Sequence, residues 1–391
     1  MLQVVVGHSD EVDTGDAVAE VLATCHAGFG GQEPQAGLLF CGTAYERELL
    51  LGRIMDAWPG LQLIGCTTDG EMSSHLGFTE DAITLALFRA DEVEFAAGVG
   101  RAAGAAPEAA AAAAVTMACQ RLATPAKLAI TLPDGLTADA RRVLAALNEA
   151  LGHGVPVVGG MSADRVGGSK SSYSSHQFFG RDVLTDSVPV LLFAGELLYS
   201  LGVESGWSPI GKRMRVTHAQ GQTLYELDGR PALELYRHYL GDLVEDLSGL
   251  RAYPLAVYER GSDRYYLRVA SKVEASRGSI DFLADVPEGS EVQLTQAIRD
   301  DIVSGVQRSV GSAVDRYPGT APEAAMLFSC TGRKIALGTR TREEIALVRA
   351  ALPLPVPVCG FYTFGEIGPL ASHSGARYHN TTFVTLLLGT R

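Results

Sequence analysis

The feature that most restricts the fold is a unit that recurs three times. Each copy reads as a helix, a short apolar strand, a helix, a second apolar strand, a polar turn and a further apolar strand. In the first copy these are 13–27, 38–41, 45–58, 61–66, 67–75 and 83–88. In the second they are 108–122, 127–132, 137–150, 155–158, 159–164, and the strands 173–179 and 188–194. Thr137 is placed to cap its helix. In the third they are 295–316, 325–330, 342–352, 356–359, 360–366 and 382–388. The second strands end alike, in Ile64-Gly65-Cys66, Val157-Val158-Gly159 and Pro357-Val358-Cys359-Gly360. An acidic residue follows each, in Asp69-Gly70-Glu71, Ala163-Asp164 and Phe364-Gly365-Glu366, and a histidine comes later at His75, His176 and His379.

One such unit cannot bury both faces of its strands, so the copies must share a core. The pattern predicts an α/β fold of repeated strand-helix-strand units in two halves, residues 1–205 and 206–391. Mixed sheets are layered with helices, and the turns gather at one sheet edge. Strands 83–88 and 93–99 read as a hairpin. Between the second and third copies the texture changes to short strands, with a hairpin turn at Gly261-Ser262-Asp263.

With 391 residues, 47% of them hydrophobic, the chain can build a large core. Its net charge of −13 argues against nucleic acid and against an anionic membrane surface as partners. Six cysteines show no C-x-x-C pair and lie in or beside apolar segments, as reduced, mostly buried thiols would. The start Met1-Leu2-Gln3-Val4 lacks a signal-peptide pattern, and no apolar run reaches membrane-spanning length. The expectation is a cytoplasmic protein.

The candidate site is C-terminal, where Cys330-Thr331-Gly332-Arg333, the run 360–366 and Tyr378-His379-Asn380 all sit at strand ends. Arg333, with Lys334, can hold a carboxylate; Glu366 can hold an amine; Tyr362 and Asn380 can add neutral hydrogen bonds. That set fits an amino-acid-like zwitterion, while an Arg333–Glu366 ion pair serving the fold is the bland alternative. His379, His373 and His176 are candidate axial ligands for haem b, with Phe361, Tyr362 and Phe364 as an apolar lining. Cys330 or Cys359 with His379 could form a nucleophile and base, although a small buried thiol is the commoner role. No G-x-S-x-G, P-loop or H-E-x-x-H motif is present.

The C-terminal text 330–333, 360–368 and His379-Asn380-Thr381-Thr382 closely resembles the FIST C domain. Gly65-Cys66-Thr67-Thr68-Asp69-Gly70-Glu71, and Gly159-Gly160 with Asp164, look like the FIST N domain; at the first of these turns the family more often has serines. The resemblance implies a sensory module for small ligands such as amino acids, working with a histidine kinase or cyclic-di-GMP enzyme. A stand-alone subset of the family resembles haem proteins that sense nitric oxide and regulate a histidine kinase. Three readings stand at this point: a haem-based gas sensor, which is favoured; a sensor of amino acids or related metabolites; and a cysteine-dependent enzyme. The ligand-binding set carried forward is Arg333, Tyr362, Glu366, Asn380 and Cys330, in a chain that could also self-associate.

Overall fold

A computed structural model describes residues 1–152, 154–167, 173–245, 247–352, 356–370 and 375–391. The chain packs as two compact units. One comprises Met1–Glu204, Val306–Tyr378 and Thr382–Arg391; the other comprises Ser205–Gly305 and His379–Thr381. The first unit leaves off at Glu204 and is re-entered at Val306.

The first unit contains three six-stranded sheets of the same plan. Their orders are Gln3–Ser9, Ile83–Arg89, Ala36–Cys41, Gln62–Thr67, Gln177–Phe179, Asp182–Leu184; then Val93–Arg101, Ser187–Gly195, Ala126–Thr131, Val157–Gly160, Glu366–Pro369, Ala376–His379; and Leu198–Glu204, Phe383–Gly389, Ala324–Cys330, Val358–Thr363, Glu71–Ser73, Gly77–Thr79. In each, the third and fourth strands are parallel and the other described pairings are antiparallel. The mixed α/β class read from the sequence is therefore the observed one. The last two strands of every sheet come from a different repeat. Glu71–Ser73 leaves the first repeat and pairs with Val358–Thr363 of the third. Gln177–Phe179 leaves the second and pairs with Gln62–Thr67 of the first. Glu366–Pro369 leaves the third and pairs with Val157–Gly160 of the second. The hairpin expected of 83–88 and 93–99 does not form, because those segments enter different sheets.

Register makes the threefold relation explicit. Gly65 pairs with Leu39, Gly159 with Thr131, and Gly360 with Leu327. On their other side the three glycines pair with Phe178, Ile367 and Met72. A Cβ at any of them would lie 2.0–2.3 Å from the carbonyl oxygen of its parallel partner. Glycine is required there because the obstacle is backbone and cannot turn away.

One face of each sheet points into a shared core that includes Phe40, Phe88, Leu128, Phe193, Phe328 and Phe361. Phe40 stacks on Phe361 with ring centroids 4.4 Å apart. Helices cover outer faces. Thr14–Phe29 and Arg47–Ala57 bury Val18, Val21, Leu50 and Ile54 against the first sheet. The first of these is capped by Asp13, whose side chain accepts from Asp16 N. The expected cap Thr137 is replaced by Asp139, which accepts from Arg142 N, while Thr137 Oγ1 donates to Asp186. Among the described residues no helix is long and apolar enough to cross a membrane.

The second unit is an eight-stranded antiparallel sheet of short strands around Ser208–Gln220, with the helix Ala232–Leu240. Its main run follows the strand Leu198–Glu204 and ends within the helix Arg299–Asp315, at Gly305.

Candidate functional site

Each swapped strand opens with a buried polar residue. These are Glu71, Gln177 and Glu366, which pair with Phe361, Cys66 and Gly160 at equivalent ladder positions. Each accepts from the backbone N–H that starts its own repeat's return strand: Ala82 N to Glu71 at 3.1 Å, Ser187 N to Gln177 at 3.2 Å, and Thr382 N to Glu366 at 2.9 Å. The residue before each donor, Asp81, Asp186 or Thr381, is held at φ near +50°. Burial pushes both Glu71 and Glu366 up to about 8. Both carboxyls are therefore mainly neutral at pH 7, which is the charge state that Gln177 has permanently. The sequence alignment placed Asp164 opposite Glu71 and Glu366. Register corrects that assignment to Gln177, because the second repeat has a longer turn.

The turns interlock. Tyr362 N donates to Gly70 O, Thr67 N to His176 O, and Met161 N to Gly365 O, at 2.8–2.9 Å. His176 thus occupies the position held by Gly70 and Gly365 in the other repeats. Two residues separate Thr67 from Gly70 and Tyr362 from Gly365, whereas residues 162–175 separate Met161 from His176. The expectation that the turns meet at one edge is met in this way.

On this edge, charged groups from all three repeats come together. Lys334, from the short helix Thr331–Leu337, places Nζ 2.9 Å from Asp69 Oδ1, 2.6 Å from Asp69 O and 2.7 Å from Glu80 Oε1. Arg165, from the long second turn, reaches Glu80 at 3.4 Å and pairs with Asp81. Val166 N donates to Asp69 Oδ1 at 2.8 Å. Asp164 accepts from Thr43 Oγ1 and from Ser174 N, both at 2.8 Å. Burial raises the Asp69 carboxyl against the opposing pull of Lys334. Burial also works against ionised Glu80, but Lys334 and Arg165 hold it below the usual range. Asp69 Oδ2 and Thr331 Oγ1 are buried, and neither reaches a partner at full hydrogen-bonding geometry, although the hydroxyl is near enough to favour the carboxylate. The Lys334 side chain is 12% exposed and Arg165 57%, so the cluster runs from the interior to the surface.

Within the first unit, the residues singled out from sequence divide between separate networks. Arg333 is fully buried, with Nε 2.9 Å and Nη2 2.7 Å from Glu344 Oε1. Ser329 and the Tyr362 hydroxyl donate to the other oxygen of the same carboxylate. Glu344, not Glu366, is thus the ion-pair partner of Arg333, and Tyr362 completes that internal network. Glu366 Oε2 accepts from both the N–H and the hydroxyl of Thr382, and the Cys330 thiol is near enough to favour the carboxylate. Cys330 also caps Thr331–Leu337, its sulfur accepting from Gly332 N. Asn380 and His379 belong to the second unit, where Asn380 Oδ1 accepts from Val269 N and its Nδ2 donates to His379 O. The backbone N–H of His176 donates to Thr67 Oγ1, and the ring is disfavoured from charging mainly by burial. His373 lies outside the described residues.

Phe361 and Tyr362, two of the residues expected to line a haem, do not share a face. Neighbours on a strand face opposite ways. Phe361 points into the central core against Phe40 and Phe328, whereas Tyr362 points outward to Glu344 and Phe78. Among the described residues no three His, Cys, Asp or Glu side chains are grouped to hold a metal ion. Cys359 is unsuited as a nucleophile, because it is sealed in the central core and burial drives its thiol far above the ordinary range.

In the sequence Lys334 stands out only as the neighbour of Arg333, and nothing marks Glu80, Arg165 or Thr43. The two basic neighbours project to different networks, and only the folded helix reveals this. Glu80 and Arg165 sit in polar turns with no diagnostic spacing.

Family models match the FIST N domain over residues 35–230 and the FIST C domain over 232–369. An uncharacterized protein of Mycobacterium tuberculosis is 26% identical over 394 residues, covering 95% of this chain and 96% of that protein. An uncharacterized Mycobacterium bovis protein is 28% identical over 259 residues, 64% of this chain and 65% of that one. Among solved structures, a cyanuric acid hydrolase from A. caulinodans aligns over the full length of both chains at 9% identity with a TM-score of 0.40.

Proposed function

Because the chain belongs to the FIST family, whose domains generally sense small ligands, we propose that it is a sensory protein that reads a zwitterionic metabolite at the Asp69–Glu80–Lys334–Arg165 cluster. The observation carrying this reading is the convergence of charged side chains from three repeats at the interlocked turns. A ligand carboxylate takes Lys334 and Arg165, and a ligand ammonium takes Asp69 and Glu80. The Arg165–Glu80 contact is exposed, so opening it costs about 1 kcal/mol or less. Asp69 and Thr331 supply buried polar atoms that a ligand or its water can complete. A ligand pulling on Lys334 shifts the turns of the first and third repeats together, because Asp69 N donates to Tyr362 O. The signal then passes to a partner, for which a histidine kinase or a cyclic-di-GMP enzyme is our proposal. The residues do not favour the haem reading, since Phe361 and Tyr362 diverge.

The test is a thermal-shift panel of amino acids against their deaminated acids and decarboxylated amines. At least one amino acid should raise Tm, by the equivalent of about 2.7 kcal/mol at a hundred times Kd. Both single-charge analogues should fail, and Lys334→Ala should abolish the shift. Stabilisation that persists in Lys334→Ala, or a panel with no response at millimolar concentration, overturns the proposal.

A further inference from the structure

The second unit contains a cleft of about 280 Å³. It lies between the strand Ser208–Gln220, the turn Asp228-Gly229 and the helix Ala232–Leu240. Met214, Leu227, Pro231 and Leu235 give it an apolar lining. Its walls depend on unusual backbone. The pairing of Ser208–Gln220 with Glu291–Gln296 shifts register between Ile210 and Met214. Gly211, Asp228 and Gly229 have φ of 71°, 50° and 73°. A Cβ on Gly211 would come 2.5 Å from Tyr239 Oη, so glycine is what lets that ring seat against the strand as a wall. Of the three residues, only Asp228 is a non-glycine residue in the left-handed region, and it lines the cleft.

The rim decides the charge of an occupant. Asp228 is committed: Oδ1 accepts from Arg215 N at 2.9 Å and Oδ2 from Lys212 Nζ at 3.1 Å. Among the described residues Arg230 pairs with Glu234, four residues on, and the two side chains are 76% and 47% exposed. Such a pair exchanges for a ligand at little cost. His238 packs edge-on to Tyr239 at 5.0 Å and adds a further ring nitrogen to the rim. The rim's charges balance, Lys212 and Arg230 against Asp228 and Glu234, but Asp228 is taken up by two donors while the Arg230 fork has more N–H groups than its one contact with Glu234 uses.

We propose that this cleft binds a small aryl carboxylate. Its ring lies on Met214, Leu227 and Leu235 against Tyr239, and its carboxylate takes the Arg230 guanidinium. The site is separate from the charged cluster of the first unit, and the proposal does not depend on that cluster.

The test is titration of the full-length chain with phenylacetate by saturation-transfer NMR and calorimetry. Three results are expected. Arg230→Glu should weaken binding at least about tenfold, since it removes a charge-assisted pair and adds repulsion. Glu234→Gln should tighten binding roughly twofold to fivefold by freeing the guanidinium. Benzylamine, matched in size but cationic, should not compete. Arg230 and Glu234 are exposed, so both variants keep the fold. Equal binding by Arg230→Glu, competition by benzylamine, or absence of phenylacetate binding would each overturn the proposal.

Discussion

Replacing Glu366 with glutamine should make the protein more stable at neutral pH. In the folded chain burial moves this carboxyl to about 8, from an ordinary value of 4.5. The folded state therefore keeps a proton that the unfolded state has released at pH 7. The stability linked to this group is complete below pH 4.5 and is lost as pH rises toward 8. At pH 7 the gap is 2.5 pH units at about 1.4 kcal/mol each, or about 3 kcal/mol. A glutamine escapes that loss and keeps the contacts, because its oxygen can accept from the N–H and hydroxyl of Thr382 as Glu366 does. Gln177 already does the equivalent in the second repeat, accepting from Ser187 N and Oγ. The measurement is urea unfolding from pH 4.5 to 8, followed by the buried Trp58 of the first unit in a Trp207→Phe background. Glu366→Gln should match the parent near pH 4.5 and exceed it by about 3 kcal/mol at pH 7. Gln177→Glu should show the mirror image, falling behind its parent as pH rises. A stability difference that does not change with pH, in either variant, would refute the reasoning.

Glu344→Gln should destabilise the first unit by about 3–5 kcal/mol, because it removes the carboxylate charge paired with the fully buried Arg333 guanidinium; chemical denaturation reads the loss. Gly360→Ala should cost about 3 kcal/mol or more, since its Cβ would meet Leu327 O at 2.3 Å, and the soluble yield and Tm of the variant check this. His8 is held neutral down to about 4, chiefly by burial with Asp10 opposing, while its ring bonds Ser73 and Thr79. Its folded value is depressed, so its contribution is whole above pH 6.5 and lost on acidification toward 4. The stability advantage of the parent over His8→Gln should therefore shrink by about 3 kcal/mol across that interval, as read by paired pH-dependent unfolding curves.

The periodic text carried much of the architecture. Alternating helices and short apolar strands require mixed α/β layers, and three similar strand endings mark three repeats, because a glycine is forced wherever two parallel backbones meet so closely. Gly65, Gly159 and Gly360 were visible for that reason. The site was less legible. Arg333 and Lys334 are neighbours in sequence, yet the helix they share sends one into a dry ion pair with Glu344 and the other to Asp69 and Glu80. Phe361 and Tyr362 look like one aromatic wall on paper, but strand pleating separates them.

By itself, then, the sequence determined what local chemistry can encode: the class of fold, the threefold recurrence, the family and the polar turns at the strand ends. Tertiary structure alone decided where each turn goes next. Every swapped strand pairs with a repeat roughly 100 residues or more away, and no local propensity specifies such a partner. That exchange makes Gln177 the counterpart of Glu71 and Glu366, and it brings Asp69, Arg165 and Lys334 to one edge. It does so because only the closed set of three sheets buries all three inner faces at once.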